Sequence, residues 1–285
     1  PLRSLIADQK RRAEEAGLAC EALVGGQTDV QRRRVWKRLA EGELCMILTN
    51  PEMLLAPGVL ERLQRAAQGG RNRRQDAAET GLSHLVFDEA HTISEWGDSF
   101  RPSYLEAGRI ARTLSPAVIT AFTATASERI LRRIEELLFE GERAALIKAN
   151  PDRPNITYSV IPSLSKTHDL IHLISPDARY PVPRPALVFC RSRNGAELCA
   201  ATLRRALPDL PVRFYHAGLE KEEKSEIENW FFESADGVLC STTAYGMGVD
   251  KKNIRSVIHR EPSPSVEAYL QESGRAGRDG HFSHA

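Results

Sequence analysis

Short apolar runs recur along this chain with stretches of helical periodicity between them, and that alternation constrains the fold more than any single residue does. "HLVF" (84–87) and "VITAF" (118–122) read as buried strands in the first half. "ALVFC" (186–190), "VRFY" (212–215), "GVLC" (237–240) and "SVIH" (256–259) read as strands in the second. Helical patterns lie around 194–206, 219–233 and 265–273. After the second strand, Ser127 is placed to cap a helix on which Ile130, Leu131, Ile134, Leu137 and Leu138 share one face. Parallel neighbours need a long crossover, which a helix supplies. The expected architecture is therefore α/β, with parallel sheets covered by helices on both faces.

The pattern breaks at "ANPDRPNITYS" (149–159), where two prolines and two asparagines interrupt it. This predicts two domains in tandem, 1–150 and 151–285, each long enough to bury its own core. Residues 68–81, "QGGRNRRQDAAETG", read as a surface loop, and the turn-rich "SPDARYPVPRP" (175–185) leads into the strand at 186. No run approaches the roughly 20 apolar residues of a membrane-spanning helix. Residues 1–20 lack the apolar core of a signal peptide. The five cysteines (Cys20, Cys45, Cys190, Cys199, Cys240) form no Cys-x-x-Cys pair, which argues against a zinc site or disulfide framework and for a reducing, cytoplasmic setting. With 39 basic against 38 acidic residues, no whole-molecule field draws in nucleic acid. Such contacts must come from local clusters, Arg32-Arg33-Arg34 with Lys37-Arg38, or Arg71, Arg73 and Arg74, which equally suit a solvated helix face and a loop.

Adjacent acids Asp88 and Glu89 follow "HLVF", at the strand end where ligands collect in an open parallel sheet. One carboxylate there can hold a hydrated Mg²⁺ on nucleotide phosphates while its neighbour orients or deprotonates water. An Asp-Glu pair alone is a common solvated strand end. Its company is what distinguishes it: "TATAS" (123–127) closes the next strand, and "QESGRAGRDG" (271–280) offers Arg275 and Arg278, three apart on an expected helix end and so facing one phosphate group. His216 and His259 read as structural histidines and Cys190 as a packed one. Trp230, Phe231 and Phe232 read as a helix anchored on the sheet.

"DEAH" (88–91), "TAT" (123–125), "FCRSR" (189–193), "AYGMGVD" (244–250) and "QESGRAGRDG" stand in the order of superfamily-two helicases, and the chain resembles the RecQ family of DNA helicases. The most specific stretch is "HTISEWGDSFRPSY" (91–104), which resembles the family's aromatic-rich loop. "PLRSLIADQ" (1–9) and "LTNPEML" (48–54) resemble its motifs Ia and Ib. The resemblance implies two RecA-like domains, ATP and Mg²⁺ as cofactors, and single-stranded and partly duplex DNA as partner. It implies 3′-to-5′ unwinding, in DNA repair and recombination, in the cytoplasm. By resemblance Asp88 coordinates Mg²⁺ through water, Glu89 activates water, and His91, Thr123 and Thr125 couple nucleotide state to movement. Trp96, Phe100, Arg101 and Tyr104 sense single-stranded DNA. Gly246, Gly248 and Asp250 lie in motif V, and Gln271, Arg275 and Arg278 in motif VI, with Arg278 as arginine finger. The loop's physics is general: a base stacked on an aromatic ring gains about 1–3 kcal/mol whatever its identity. A loop joined covalently to Glu89 would make hydrolysis conditional on bound DNA.

The sequence departs from the family at Thr92 and Glu95, where cysteine and glutamine are commoner, and in one larger respect. It contains no Gly-Lys dipeptide, hence no Gly-x-x-x-x-Gly-Lys-[Ser/Thr] loop to cradle phosphates. The expectation is a chain that begins after that loop, lacking roughly 60 to 90 residues, and ends before the family's zinc and winged-helix region. Such a chain would be hydrolysis-deficient by itself; the alternative is a non-hydrolysing DNA-binding module.

Overall fold

The computed structural model describes residues 3–69, 81–95, 102–124, 127–150, 152–245 and 251–285. The chain divides into two compact units, 1–149 and 150–285. The first contains α1 (Arg3–Glu15), β1 (Cys20–Leu23), α2 (Asp29–Ala40), β2 (Met46–Thr49), α3 (Pro51–Leu54), α4 (Val59–Gly69), β3 (His84–Phe87), α5 (His91–Glu95), α6 (Ala107–Leu114), β4 (Val118–Ala121) and α7 (Glu128–Leu138). The second contains β5 (Ile156–Thr157), α8 (Lys166–Ile174), β6 (Ala186–Phe189), α9 (Arg193–Ala206), β7 (Val212–Tyr215), α10 (Lys221–Glu233), β8 (Val238–Ser241), β9 (Ser256–His259), α11 (Val266–Ser273) and β10 (Ser283–His284).

Among the described residues every strand pairing is parallel. In the second unit the strand order is β5-β10-β9-β6-β8-β7. Alternate residues of the central strands feed two cores. Ala186, Val188, Val238 and Cys240 pack with Leu170 of α8 and Ala196 and Leu203 of α9. Leu187, Phe189, Leu239 and Val257 pack with Phe231 of α10 and Tyr245. A strand buried on both faces reads as a continuous apolar run, which is why "ALVF" and "VLC" were legible. Phe231 is fully buried and Trp230 partly so, but Phe232 is 58% exposed, so this cluster anchors the helix through two rings and not three.

The first unit differs. β1 pairs with β2, and β3 with β4, as two separate ladders. Leu85, Phe87, Ile119 and Ala121 turn inward against Ile93, Ala107, Ala111, Ile130, Ile134 and Leu138. Their alternates do not: Val86 is 51% and Val118 47% exposed. These strands are therefore half-buried, a correction to their reading as buried strands. A period of two cannot bury both faces when only one is covered. In β1 the apolar run is interrupted by Glu21. That carboxylate is buried, and it is neutralised by Lys10 at 2.8 Å and by Arg38. Ser127 stands at the N-cap of α7 but makes no side-chain capping bond, so this helix starts on packing and not on its cap. Gln68 and Gly69 close α4, and the rest of the anticipated loop, 70–80, lies outside the described residues.

Helices α6 and α7 touch at Gly108, where an added Cβ would lie 2.3 Å from the Leu137 carbonyl oxygen. Because the obstacle is backbone, Gly108→Ala should destabilise the first unit by about 1–3 kcal/mol. Urea denaturation of mutant and parent would measure this, and equal midpoints would count against the packing described.

Candidate nucleotide site and its arginine turn

Asp88 leaves β3 at its carboxyl end and is exposed. Its Oδ1 accepts the Glu89 amide at 2.9 Å and its Oδ2 accepts Gln9 Nε2 at 3.1 Å, which fixes the carboxylate plane. Glu89 adopts a left-handed backbone (φ 51°), a conformation costing a non-glycine residue about 1–3 kcal/mol. The surroundings hold it there. Ala90 N–H donates to the Phe122 carbonyl at 2.8 Å, and Phe122 N–H donates to Phe87 O at 2.8 Å. The Thr92 amide and hydroxyl both donate to Glu89 O, at 2.9 and 2.8 Å. The turn after β3 is thus stitched to the end of β4.

That stitching brings His91 to Thr123. The buried His91 ring sets Nδ1 3.1 Å from Thr123 Oγ1 and 3.5 Å from Glu89 Oε2. Residues from two strand ends therefore meet at one ring nitrogen, hydrogen-bonded to Thr123 and at ion-pair distance from Glu89, whose side chain is still 45% exposed to a reactant. Among the described residues no group of three or more His, Cys, Asp or Glu is arranged to hold a metal directly. The donors fit a cation that keeps its own water shell, as Mg²⁺ does. Tyr104 is a core side chain, 6% exposed among Ala90, Ile93 and Ala107, and is not offered to a base. Trp96, Phe100, Arg101, Thr125, Gly246, Gly248 and Asp250 lie outside the described residues.

In the second unit Gln271 sits half-buried in α11, which Ser265 caps by accepting the Ala268 amide at 3.1 Å. The helix ends before the arginines. Gly274 is its C-cap, and Arg275 and Arg278 occupy the following turn, the first buried and the second exposed. Helical three-residue spacing therefore does not relate them, a correction to their expected common face. What shapes this turn was not legible beforehand. Arg153 donates to the carbonyls of Gly274 (3.2 Å), Ala276 (2.9 Å) and Gly277 (2.9 Å). Asn155 Nδ2 donates to Gly277 O (2.8 Å) and His281 O (3.0 Å). Gly277 has φ 53°, and a Cβ there would lie 2.6 Å from Asn155 Nδ2. Arg255 pairs with both oxygens of Asp279. Arg153 and Asn155 are over 120 residues from their partners, and they lie in the stretch read as a boundary. Arg153 stands between Pro151 and Pro154, and Asn155 follows directly.

His216 and His259 both face carboxylates. His216 Nδ1 accepts from the Gly218 amide at 3.2 Å, so Nε2 carries the proton facing Glu197 at 2.7 Å. His259 stacks on Phe189, and its Nε2 is 2.9 Å from Glu272, which also accepts from Ser263 at 2.6 Å. Burial favours the neutral form of Glu272, yet the bonds from His259 and Ser263 hold its carboxyl below the usual range. The Arg255 guanidinium holds Asp279 well below it.

A model described as the DEAD/DEAH box helicase family matches residues 1–134, and one described as the helicase conserved C-terminal domain matches 165–280. The RecQ-like DNA helicase blm-1 of Caenorhabditis elegans is 32% identical over 98% of this chain and 27% of its own length. The ATP-dependent DNA helicase hus2/rqh1 of Schizosaccharomyces pombe is 34% identical over 100% and 20%. The probable ATP-dependent DNA helicase RecS of Bacillus subtilis is 33% identical over 98% and 53%. The chain thus spans about half or less of these relatives. Among solved structures, the DUF1998 helicase MrfA bound to DNA superposes with TM-score 0.71 at 22% identity, covering 100% of this chain and 40% of that one. Mss116p bound to ssRNA and AMP-PNP gives 0.66 at 16%, covering 100% and 57%.

Two outcomes follow for the arginine turn. Arg153→Ala strands three carbonyls and should cost about 1–3 kcal/mol of unfolding free energy, with faster amide exchange confined to 274–281. Arg153→Lys, a point charge without the planar fork, should restore only part of it. On acidification, Glu272 and Asp279 have folded-state values below their unfolded ones. Their contribution is present above about pH 4 and is lost as pH falls through the folded values. Melting temperature should drop below about pH 4, and Asp279→Asn should flatten that slope; an unchanged slope in thermal melts would reject the assignment.

Proposed function

We propose, from the two helicase matches and the RecQ-type relatives, that the chain is the motor portion of a RecQ-type ATP-dependent DNA helicase, two RecA-like domains in tandem translocating 3′ to 5′ on single-stranded DNA. The observation that carries the reading is the meeting of Glu89 and Thr123 at Nδ1 of the buried His91, beside the fixed and exposed carboxylate of Asp88. A solvated strand end has no need to hold an acid in a strained conformation and tie it to the next strand.

Asp88 would take a hydrated Mg²⁺ through water, and that ion, when bound, neutralises phosphate charge. Glu89 orients the attacking water and receives its proton. His91 and Thr123 make the position of Glu89 depend on the end of β4, a positioning role that Thr125 shares. Arg275 and Arg278 supply guanidinium charge to the phosphate during transfer, with exposed Arg278 the finger and buried Arg275 the one that shapes the turn. Gln271 and the 246–250 segment act in the same coupling. Trp96, Phe100 and Arg101 contact DNA, and Tyr104 roots their loop in the core. These residues are proposed to bind DNA, and hydrolysis is expected of a parent form that also carries a Gly-x-x-x-x-Gly-Lys-[Ser/Thr] loop, since that loop cradles the phosphates.

In the parent, single-stranded DNA should stimulate ATP hydrolysis. Glu89→Gln should lower kcat by about 10²–10⁴-fold with ATP binding retained. Trp96→Ala should retain DNA binding but lose stimulation. Absence of DNA-stimulated hydrolysis in the parent would overturn the motor reading, and full stimulation in Trp96→Ala would overturn the sensing role. Competition between DNA and RNA strands of matched length reports the substrate class.

A further inference from the structure

Three of the five cysteines meet in the second unit. Cys190 follows β6, Cys199 lies on the buried face of α9 and Cys240 in β8, with exposures of 5%, 3% and 0%. The sulfurs of Cys240 and Cys199 are 3.5 Å apart. Cys199 also lines a cavity of about 90 Å³, walled in part by Thr167, Leu198, Thr202 and Arg260. The Arg260 guanidinium donates to Thr167 Oγ1 at 3.3 Å, while its buried Nε has no hydrogen-bond acceptor. A thiol pair, a positive charge and room for a small molecule therefore coincide.

We propose that Cys199 is a peroxide-reactive thiol with Cys240 as its resolving partner, the cavity admitting a small hydroperoxide and the product being a Cys199–Cys240 disulfide. A buried cysteine packed among apolar groups is inert because burial keeps it protonated. Cys199 shares that burial and differs in lining the cavity, with the Arg260 guanidinium in the same wall. Hydrogen bonds from Cys190 and Cys240, with the Arg260 charge, hold its thiol well below the ordinary value against the opposing effect of burial, while Cys240 is pushed up. The cavity exceeds the roughly 30 Å³ that one water occupies, and a peroxide adds a single oxygen atom to that.

The steps balance. The Cys199 thiolate attacks one peroxide oxygen, an S–O bond forms as the O–O bond breaks, and the departing oxyanion takes up the proton that Cys199 released. The Cys240 sulfur then attacks the sulfenic sulfur, S–S forms, S–O breaks, and the hydroxyl departs with the Cys240 proton as water. Two electrons pass from the sulfurs to the peroxide, and no other reactant is needed. A sulfenate oxygen on Cys199 would give Arg260 Nε its acceptor.

The folded 285-residue chain, treated with hydrogen peroxide and digested without reductant, should yield a Cys199–Cys240 cross-linked peptide by mass spectrometry. In Cys240→Ala, or Cys240→Ser if the alanine variant does not fold, dimedone should trap Cys199 about tenfold faster than exposed Cys45 in the same molecule. Modification of Cys45 with Cys199 left as a thiol, or of Cys199 only after unfolding in urea, would overturn the proposal. A Cys190–Cys199 bridge in the unmutated chain would overturn the role given to Cys240.

Discussion

Parallel pairing is the constraint from which the rest of this structure descends. When neighbouring strands run the same way, every strand hands its following loop to the same edge of the sheet, and residues far apart in sequence arrive as neighbours. Phe87 pairs with Ala121, so the acids after β3 and the threonine after β4 emerge side by side. In the second unit Phe189 pairs with both Ser241 and His259, and Tyr215 pairs with Ser241. The first turns after these strands are bonded across in the same manner: Cys190 N–H to Ser241 O, Thr242 N–H to Tyr215 O, Arg260 N–H to Phe189 O. The edge is a product of topology, and the chemistry is written onto it.

How much of this was readable in advance follows from burial. Strands covered on both faces declared themselves as apolar runs, as β6 and β8 did. Two strands of the first unit carry weaker signals: β1 holds a neutralised glutamate, and β2 has its first residue, Met46, 38% exposed. The acids and the arginines were legible as residue types at strand and helix ends. Their local geometry was not. Nothing in "DEAH" announces a left-handed glutamate, and nothing in "GRAGRDG" announces that its carbonyls are held from residue 153. Side-chain bonds spanning over a hundred residues leave no periodicity. Tyr104, which the resemblance assigns to sensing DNA, is instead a core side chain.

Strain and its support explain why the acidic turn is built as it is. A glutamate at positive φ is tolerated only where the surrounding bonds over-determine it, and here the amides of Ala90 and Thr92 and the Thr92 hydroxyl do so. Threonine at position 92 is therefore a working part of the turn. The cost of the conformation is met by bonds that also tie two strand ends together, so a movement at one end is felt at the carboxylate of the other.

The Arg153 clamp has a consequence for where the second half of the molecule begins. The helicase C-terminal match starts at residue 165, yet the guanidinium and the amide that shape the arginine turn sit at 153 and 155, and β5 closes one margin of the six-stranded sheet just after them. A half excised at the limit of that match would leave behind the splint for its own arginine-bearing turn. The physically complete piece is longer than the recognisable one.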